Sequence, residues 1–356
     1  MNYYLTYIIV AIGLFSFSAL FALFGVYAER KLSAFIQDRL GPTETGKFGT
    51  LQTFADIVKL VQKELITPAA ADKMLFVMAP VIIFIAVYMG FAALPWAPGL
   101  VPSKINLGLY YIFAIISMET LGILMAGWGS NNKYSILGAM RSAAQIISYE
   151  IPAGFALISV VMIAQTLNLQ TIGLQQGILS AEKTKFLGFY DVSHMGGILA
   201  WNIFRAPHLI IAFVIYFIAS LAESNRAPFD IPEAESELVS GFHTEYSGLR
   251  FAFIFLAEYS MMFLVSMVGV ILFLGAWNTP LPNIGSLHLA NWTTGTVWGI
   301  FWVAAKSLTL VGVQMWIRWT LPRLRVDQLM ALCWKVLTPL AFLCMLISGV
   351  WRLWLM

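Results

Sequence analysis

The sequence predicts an all-α, polytopic membrane protein. Hydrophobic residues fill 60% of the 356 positions and charged residues only 11%, whereas soluble proteins carry about 25% charged residues. The mean hydropathy is +0.80, and the apolar residues form long runs. Because an open sheet cannot satisfy its backbone hydrogen bonds in lipid, we interpret runs of about 20 apolar residues as transmembrane helices.

Eight runs approach this length and together predict one membrane domain over residues 1–356. They cover roughly residues 4–28, 74–94, 107–127, 142–164, 203–222, 251–275, 295–317 and 331–354. The first run is too long for the core of a signal peptide and ends in Glu-Arg-Lys without a small-residue cleavage site. We therefore predict that it is retained as a transmembrane span.

The basic residues predict the orientation of these spans. Fourteen lysines and arginines follow the first, third, fifth and seventh runs, and five lie on the opposite side. By the positive-inside rule, the richer side faces the cytoplasm or the mitochondrial matrix, and both termini then lie outside. This placement predicts a multi-pass membrane protein with the acidic segment on the inner side.

A segment on the inner side predicts an amphipathic helix over about residues 50–66. Five apolar residues recur there at helical spacing: Leu51, Phe54, Val58, Val61 and Leu65. Thr50 is the predicted N-cap and Pro68 the predicted end. Such a helix lies in the membrane interface. A surface helix of a small inner domain, or a helix covered by a partner subunit, would show the same pattern.

Carboxylates within the apolar runs are the first candidate functional residues. Glu119, Glu150 and Glu258 each lie about seven or eight residues from the inner end of their runs, on the order of 12 Å deep at 1.5 Å per residue. Charges at this depth are costly and indicate function, so we predict that the three form a proton-carrying cluster. Each could instead bond separately to a neighbouring helix. Lys306 is a candidate counter-ion, or a side chain that extends toward the outside.

The second candidate region is an acidic inner loop at about residues 223–250. Its carboxylates include Glu223, Asp230, Glu233, Glu235 and Glu237. Pro228 and Pro232 argue against one continuous helix, and we predict an irregular turn followed by a short helix. Interleaved apolar residues suggest that the loop folds back into an interface, although a solvated loop would carry similar acids.

The sequence contains no pattern for a resident redox cofactor. Cys333 and Cys344 and four scattered histidines fit neither an iron–sulfur nor a zinc site. No flavin motif, phosphate-binding loop or basic stripe for nucleic acid occurs. We therefore predict no metal, no cofactor bound by this chain alone, no catalytic residue in it and no nucleic-acid partner.

Four long motifs resemble the H-subunit family of bacterial proton-translocating NADH:quinone oxidoreductases, the counterpart of mitochondrial complex I subunit 1. The resemblance covers nearly the whole chain and is strongest in YAERKLSAFIQDRLGP, LQTFADIVKLVQKE, GWGSNNKYSILGAMRSAAQIISYEIP and AESNRAPFDIPEAESELVSGFHTEYSGLRFAFIFLAEY. It implies eight spans in a subunit that joins the membrane arm to the redox arm. It also implies a tunnel that admits ubiquinone or menaquinone from the bilayer.

The resemblance also implies roles for particular residues. Arg39, Arg226, Phe229 and Asp230 correspond to positions at the quinone tunnel or its loops. Proton coupling is implied for seven glutamates: Glu119, Glu150, Glu223, Glu233, Glu235, Glu237 and Glu258. The implied partners are the other complex I subunits, which carry the NAD, FMN and iron–sulfur sites, together with quinone as substrate and the lipid bilayer. Organellar relatives share these motifs, and we expect the bacterial plasma (inner) membrane as the location.

The sequence departs from the family motif at one place, and two alternative functions have to be compared with the quinone enzyme. Residues 43–47 read TETGK, where many family members carry an arginine, so a partner contact of this loop is in doubt. Related membrane subunits serve hydrogenase-type complexes that use no quinone; the full acidic loop and the amphipathic helix favour the quinone enzyme. A stand-alone ion transporter is disfavoured because the chain shows no internal repeat or paired broken helices.

Overall fold

A computed structural model describes residues 3–180, 184–232, 235–283 and 288–355, and within these ranges the chain is mainly helical. The helices are α1 Tyr3–Ile36, α2 Gln52–Gln62, α3 Lys73–Gly90, α4 Gly108–Gly129, α5 Lys133–Ala164, α6 Leu169–Leu174, α7 Asn202–Arg205, α8 His208–Glu223, α9 Glu235–Leu238, α10 Gly248–Leu272, α11 Leu289–Trp292, α12 Thr296–Thr320, α13 Val326–Ala331 and α14 Thr338–Leu355. The strands are β1 Lys185–Phe186 and β2 Tyr190–Asp191, which pair antiparallel.

Seven helical segments within the described ranges are long and apolar enough to cross a membrane, with the last running from α13 through α14. The run predicted at 203–222 is broken instead. Ala206 is extended ahead of Pro207, as expected for a residue before proline. Helix α8 then has 16 residues, fewer than the roughly 20 that a straight span needs. Eight crossings therefore stay a prediction.

For two other runs, the helix in the structure is longer than the predicted apolar run. Helix α1 extends to Ile36 rather than to residue 28, because Glu29 is buried within it and Ser33 and Ala34 pack on the same side. Helix α5 begins at Lys133 rather than at 142, where the Asn132 side chain accepts a hydrogen bond from the Tyr134 N–H. Both extensions carry polar residues that the hydropathy pattern assigns to loops.

Helix α10 forms the centre of the bundle. From Tyr259 to Leu272 every residue is buried, and the helix packs against α1, α2, α3, α6, α8 and α12. A helix that is apolar on all sides belongs in an interior. By contrast, α1 presents much of its length outward and turns only a narrow stripe inward. The second half of α10 is thus surrounded by protein.

The amphipathic helix is shorter than the predicted 50–66. Leu51 occupies the N-cap position without a side-chain cap bond, so Thr50 does not cap the helix. Helix α2 ends where Lys63 becomes extended, well before Pro68. Its other face packs on the bundle through Thr53, while Phe54 and Val61 remain exposed. The predicted apolar face is therefore available to lipid or a partner.

The last helical segment contains one turn of π-helix at Leu332–Leu337 between α13 and α14. Pro339 is the second residue after this turn, and a proline inside a helix disrupts the preceding turn. The Thr338 backbone N–H and its hydroxyl both donate to the Cys333 carbonyl oxygen. These two hydrogen bonds satisfy the Cys333 carbonyl oxygen where the α-helical hydrogen-bond pattern is interrupted.

Candidate functional site

The acidic loop, α10 and α12 enclose a polar cavity of about 110 Å³. It is lined by Asn225, Arg226, Ser240, His243, Phe251, Phe255, Glu258 and Arg318. His243 Nε2 lies 3.1 Å from a carboxylate oxygen of Glu258. The cavity therefore combines two arginines, a histidine–carboxylate pair and two aromatic rings.

A buried charge cluster anchors the arginines of this cavity. Glu29 of α1 accepts hydrogen bonds from Arg226 Nη1 at 3.1 Å and from Arg318 Nη1. The Tyr259 hydroxyl donates to the same carboxylate at 2.5 Å, and the Arg226 guanidinium lies 4.4 Å from the Tyr259 ring centroid. Burial disfavours the charge on Arg226, but Glu29, Tyr259 and Glu258 outweigh it and raise the pKa of the guanidinium. Arg226 thus stays cationic although its side chain is buried.

The inner half of α5 holds the acidic loop against the bundle. Gln145 Nε2 donates to the Ala222 carbonyl at 2.8 Å and to Asn225 Oδ1 at 3.3 Å. A side chain on Gly138 would place its Cβ 2.7 Å from Gly241 Cα. Small and hydrogen-bonding residues on this face of α5 therefore allow the loop to approach closely. The predicted turn and short helix are present, with α9 at Glu235–Leu238 after the prolines.

Carboxylates continue from the polar cavity into the bundle. Glu119 of α4 is buried and interacts electrostatically with Glu258 and with Glu223 at the end of α8. Glu223 interacts in turn with Glu150 of α5. We call Glu258, Glu119, Glu223 and Glu150 the carboxylate line. Glu223 was predicted to belong to the acidic loop. It lies instead with the three glutamates that were grouped by their predicted depth in the membrane.

The far end of the carboxylate line borders a small internal cavity. Glu150 and Glu223 line it together with Tyr216 and apolar residues of α4 and α10. The Ser117 hydroxyl donates to the Glu150 carboxylate, and the Tyr216 hydroxyl donates to the Val265 carbonyl at 2.7 Å. Polar groups thus extend across the bundle between α4, α5, α8 and α10.

An apolar groove of about 390 Å³ lies between α1, α2 and α10. Its walls include Ala22 and Val26 of α1, Ile57 of α2, and Ala252 and Leu256 of α10. This volume falls in the usual range of about 300–1,000 Å³ for ligand pockets. Near its inner edge, Arg30 and Asp56 form a salt bridge at 2.5 Å. The groove has the composition and size to hold an apolar ligand.

Two aromatic residues are shared by the walls of this groove and of the polar cavity. Phe251 and Phe255 line both spaces, and their rings stack with centroids 5.9 Å apart. The side chains are half-buried. An apolar tail in the groove and a polar group beside Arg226 or His243 would therefore lie on the two sides of the same aromatic pair.

The other residues predicted at the tunnel are dispersed. Arg39 lies in the exposed turn after α1 and donates to Gln37 at 2.6 Å. Phe229 is buried against the Tyr149 ring, with centroids 5.3 Å apart. Asp230 is partly exposed, with Arg323 4.0 Å away. The structure brings Arg226, but not Arg39, to the polar cavity.

The remaining loop acids have different surroundings. Glu237 is exposed and pairs with Arg141 at 2.6 Å, and the hydrogen bond from Arg141 lowers the pKa of the Glu237 carboxyl. Glu233 lies outside the described residues, and only the backbone of Glu235 is described. Glu237 is therefore at the surface, apart from the residues that line the polar cavity.

In the hydrogen bonds of the described residues, Lys306 binds backbone carbonyls and not the carboxylates for which it was a candidate counter-ion. Its ammonium donates to the carbonyl oxygens of Leu274, Ala276 and Asn278. These residues follow α10 at the end opposite to Glu258. The side chain therefore satisfies the end of a helix, as cations do near helix C-termini.

Sequence reasoning missed four residues of the site: Glu29, His243, Tyr259 and Arg318. Glu29 directly follows the first predicted run and Arg318 directly follows the seventh, so both resemble ordinary flanking charges. Their pairing joins positions 289 residues apart. The available signal was that Glu29 falls in one conspicuous motif and Arg226 and Tyr259 in another.

The chain is similar to several curated proteins over nearly its full length. It matches the family model described as NADH dehydrogenase over residues 9–349. It is 56% identical over 351 residues to the NADH-quinone oxidoreductase H subunit 2 of Cytophaga hutchinsonii, covering 94% of this chain and 96% of that protein. It is also 56% identical over 339 residues to the NADH-quinone oxidoreductase H subunit of Chlorobium luteolum, covering 95% of this chain and 87% of that protein.

Proposed function

This chain belongs to the NADH dehydrogenase family as a membrane subunit of the H type in NADH-quinone oxidoreductase, and we propose that it provides the quinone passage of that complex. The same proposal assigns to its buried carboxylates the coupling of quinone reduction to proton translocation. The other subunits of complex I are its partners. The observation that carries the proposal is the pair Phe251 and Phe255, which lines both the apolar groove and the polar cavity and so makes them neighbours.

The groove between α1, α2 and α10 receives the apolar tail of the quinone from the bilayer. Its walls are apolar, and the exposed face of α2 lies beside it in the membrane interface. The headgroup passes Phe251 and Phe255 and enters the polar cavity. There Arg226, held by Glu29, offers a cationic hydrogen-bond donor to a quinone oxygen.

Electrons for the reduction come from FMN and iron–sulfur clusters of partner subunits that oxidise NADH. Complete reduction of a quinone takes up two electrons and two protons, so charge changes near the polar cavity. Glu258 and His243 line that cavity as a hydrogen-bonded, titratable pair. They exchange protons with it and pass the change in charge to Glu119, Glu223 and Glu150.

Orientation and location form part of the same proposal. Arg352 near the C-terminus donates to Gln165 at the end of α5, and Tyr88 at the end of α3 donates to Ala11 near the start of α1. Both termini are thus at the end of the bundle opposite to the acidic loop. We place them on the outer side of the bacterial inner membrane, with the acidic loop inside.

A substitution that fills the groove tests the proposal. Ala252 lines the groove and is half-buried, so Ala252→Trp should obstruct the tail of the quinone. In assembled complex we expect NADH:quinone reductase activity to fall at least about tenfold, while NADH oxidation by ferricyanide, which needs no quinone, is unchanged. Ala114→Trp, at an exposed position of α4, is the matched control and should keep both activities. Equal quinone reduction by both variants would refute the passage.

A further inference from the structure

A lysine lies on the peripheral surface of the last membrane-spanning segment, away from both of its ends. The segment runs from Val326 to Trp354, and Lys335 is nine residues past its start, about 14 Å along the axis at 1.5 Å per residue. The side chain of Lys335 is exposed, whereas Cys333 and Leu337 on either side of it are buried. A charge exposed at membrane depth is costly and indicates a function.

Lys335 differs in its surroundings from the other basic residues of the last two spanning segments. Those residues are bound by groups of this chain: Lys306 by backbone carbonyls, Arg318 by Glu29 and Arg352 by Gln165. No hydrogen bond or ion pair joins Lys335 to another of the described residues. Asp327, the acid of the same segment, is eight residues away, more than two helical turns. An anion for Lys335 therefore has to come from another molecule.

Helix α5 defines the height of Lys335 in the bundle. Two contacts show that α5 and the last segment run parallel: Cys333 Sγ donates to the Ser148 carbonyl at 3.1 Å, and the rings of Phe342 and Phe155 have centroids 5.7 Å apart. Lys335 is two residues past Cys333, and Glu150 is two residues past Ser148. Lys335 is thus at the height of Glu150. Glu150 faces the internal cavity of the carboxylate line, and Lys335 faces away from the bundle.

The surface around Lys335 has the character of a helix-packing face. Lys335 is the one charged residue between Asp327 and Arg352, and the exposed residues near it are apolar: Trp334, Val336, Leu340 and Leu343. Lys335 also lies within the π-helical turn Leu332–Leu337, and such turns are frequent at functional sites. An apolar helix that carries a single acid would complement this face.

The depth of Lys335 favours a carboxylate over a lipid phosphate. Phosphates lie in the headgroup layer, beyond the hydrocarbon. Helical side chains tilt toward the N-terminus of their helix, which is here the end near the acidic loop, but the four methylenes of lysine cover only about half of the 14 Å. A carboxylate on a neighbouring helix can lie at the depth of the ammonium group, where a charge-assisted hydrogen bond is strong.

We propose that Lys335 binds an aspartate or glutamate in a membrane helix of a neighbouring subunit of the complex. The ion pair lies at the height of the carboxylate line. It sets the register in which that helix packs on the last segment, as isolated polar residues do at other helix interfaces. The inference rests on membership of the chain in the complex and not on the quinone passage, so the failure of one leaves the other standing.

Carbodiimide coupling in assembled complex tests the ion pair directly. A membrane-permeant carbodiimide converts the acid to an O-acylisourea. Lys335 Nζ then attacks the acyl carbon, an amide forms, and the urea leaves with the two protons on its nitrogens. Mass spectrometry should find an isopeptide bond between Lys335 and an acid in a membrane helix of another subunit.

Two controls accompany the coupling. Lys335→Arg keeps the charge, but its guanidinium stays protonated, so the isopeptide should be absent. Lys306, bound by carbonyls, should remain uncoupled in the wild-type complex. A complex in which Lys335 forms no isopeptide with a membrane helix of another subunit would overturn the proposal.

Charge reversal tests whether the ion pair holds the neighbouring subunit. Lys335→Glu places two carboxylates together, so we expect the amount of the coupled subunit in detergent-purified complex to fall at least about tenfold. Lys335→Arg should retain it, and Arg352→Glu in the same helix is the matched control, because Arg352 binds Gln165 of this chain. Changing the coupled acid to lysine in the Lys335→Glu complex should restore the subunit. A Lys335→Glu complex that keeps all its subunits, or loses only anionic phospholipid, would contradict the proposal.

Discussion

Glu29 holds two arginines and a tyrosine in place around one carboxylate. Arg226 comes from the acidic loop, Arg318 from α12 and Tyr259 from α10. Removing one partner from a buried ion pair costs more than the pair itself contributes, because the remaining charge is left uncompensated. The residue therefore supports both the fold and the polar cavity.

Glu29→Gln tests this dependence. The amide keeps the shape but not the charge, so Arg226 and Arg318 lose their common partner, and we expect a destabilisation of about 3–5 kcal/mol. Thermal inactivation of the assembled complex measures it. Glu237→Gln is the control: its carboxylate is exposed and pairs with Arg141 in solvent, so inactivation should hardly change. A Glu29→Gln complex as stable as the control would contradict the role of Glu29.

Glu223 connects the two halves of the carboxylate line, because it interacts with both Glu119 and Glu150. Glu223→Gln removes a proton-binding site without changing the side-chain volume, and we expect coupled NADH:quinone turnover and proton translocation in liposomes to fall at least about tenfold. Glu245→Gln serves as control, since Glu245 accepts a hydrogen bond from Asn132 at the loop instead. Normal proton translocation by the Glu223→Gln complex would contradict a role for Glu223 in proton transfer.

The membrane depth predicted from position within an apolar run identified some of the site residues but not all of them. It drew attention to Glu119, Glu150 and Glu258 because carboxylates inside apolar runs are rare and costly. It could not include Glu29 or Arg318, whose positions near the ends of their helices are typical of ordinary flanking charges. Which charges share a cavity depends on helix rotation, and an apolar run does not determine rotation.

At the scale of elements, α5 positions the acidic loop through its small residues. Gly138 faces the backbone of Gly241 and Phe242, and its Cβ would lie 2.7 Å and 3.0 Å from their atoms. Backbone cannot move aside as a flexible side chain can. Contact between α5 and the loop thus depends on glycine at this position.

Gly138→Ala should displace the acidic loop and lower NADH:quinone reductase activity, with a loss of stability of about 1–3 kcal/mol from overpacking. Gly154→Ala in the same helix is the matched control, because its Cβ would meet only the edge of Phe113 at 4.0 Å. That variant should be neutral or more stable by up to about 1 kcal/mol, since alanine favours helix. Activity assays and thermal denaturation distinguish the two, and equal behaviour would contradict the close approach.

Hydropathy located the helices but not their ends. Helix α5 starts nine residues before the predicted 142 because Asn132 caps it in a polar stretch. Pro207 breaks the predicted fifth run, a boundary that a proline signal could have indicated. The short strands β1 and β2 had no detectable pattern, because two residues are too few for an alternation.

At the scale of the whole molecule, two apolar openings among the described residues are candidates for the entrance of the proposed quinone passage. One is the groove between α1, α2 and α10, which shares Phe251 and Phe255 with the polar cavity. The other lies between α3, α4 and α5 and is lined by Leu75, Trp128 and Met140 among other apolar residues. The first opening is favoured because the polar cavity on the other side of Phe251 and Phe255 holds charged groups that the headgroup of the proposed quinone can contact.

The most direct test of the quinone passage is photolabelling of assembled complex with a quinone that carries a photoreactive group on its isoprenoid tail. Mass spectrometry of this chain would identify the labelled residues, and excess unlabelled quinone would serve as the competition control. We expect competable labelling on α1 and α10, at residues such as Val26, Ala252 and Leu256. Labelling confined to Leu75, Trp128 and Met140, with none at the first groove, would contradict the proposed passage.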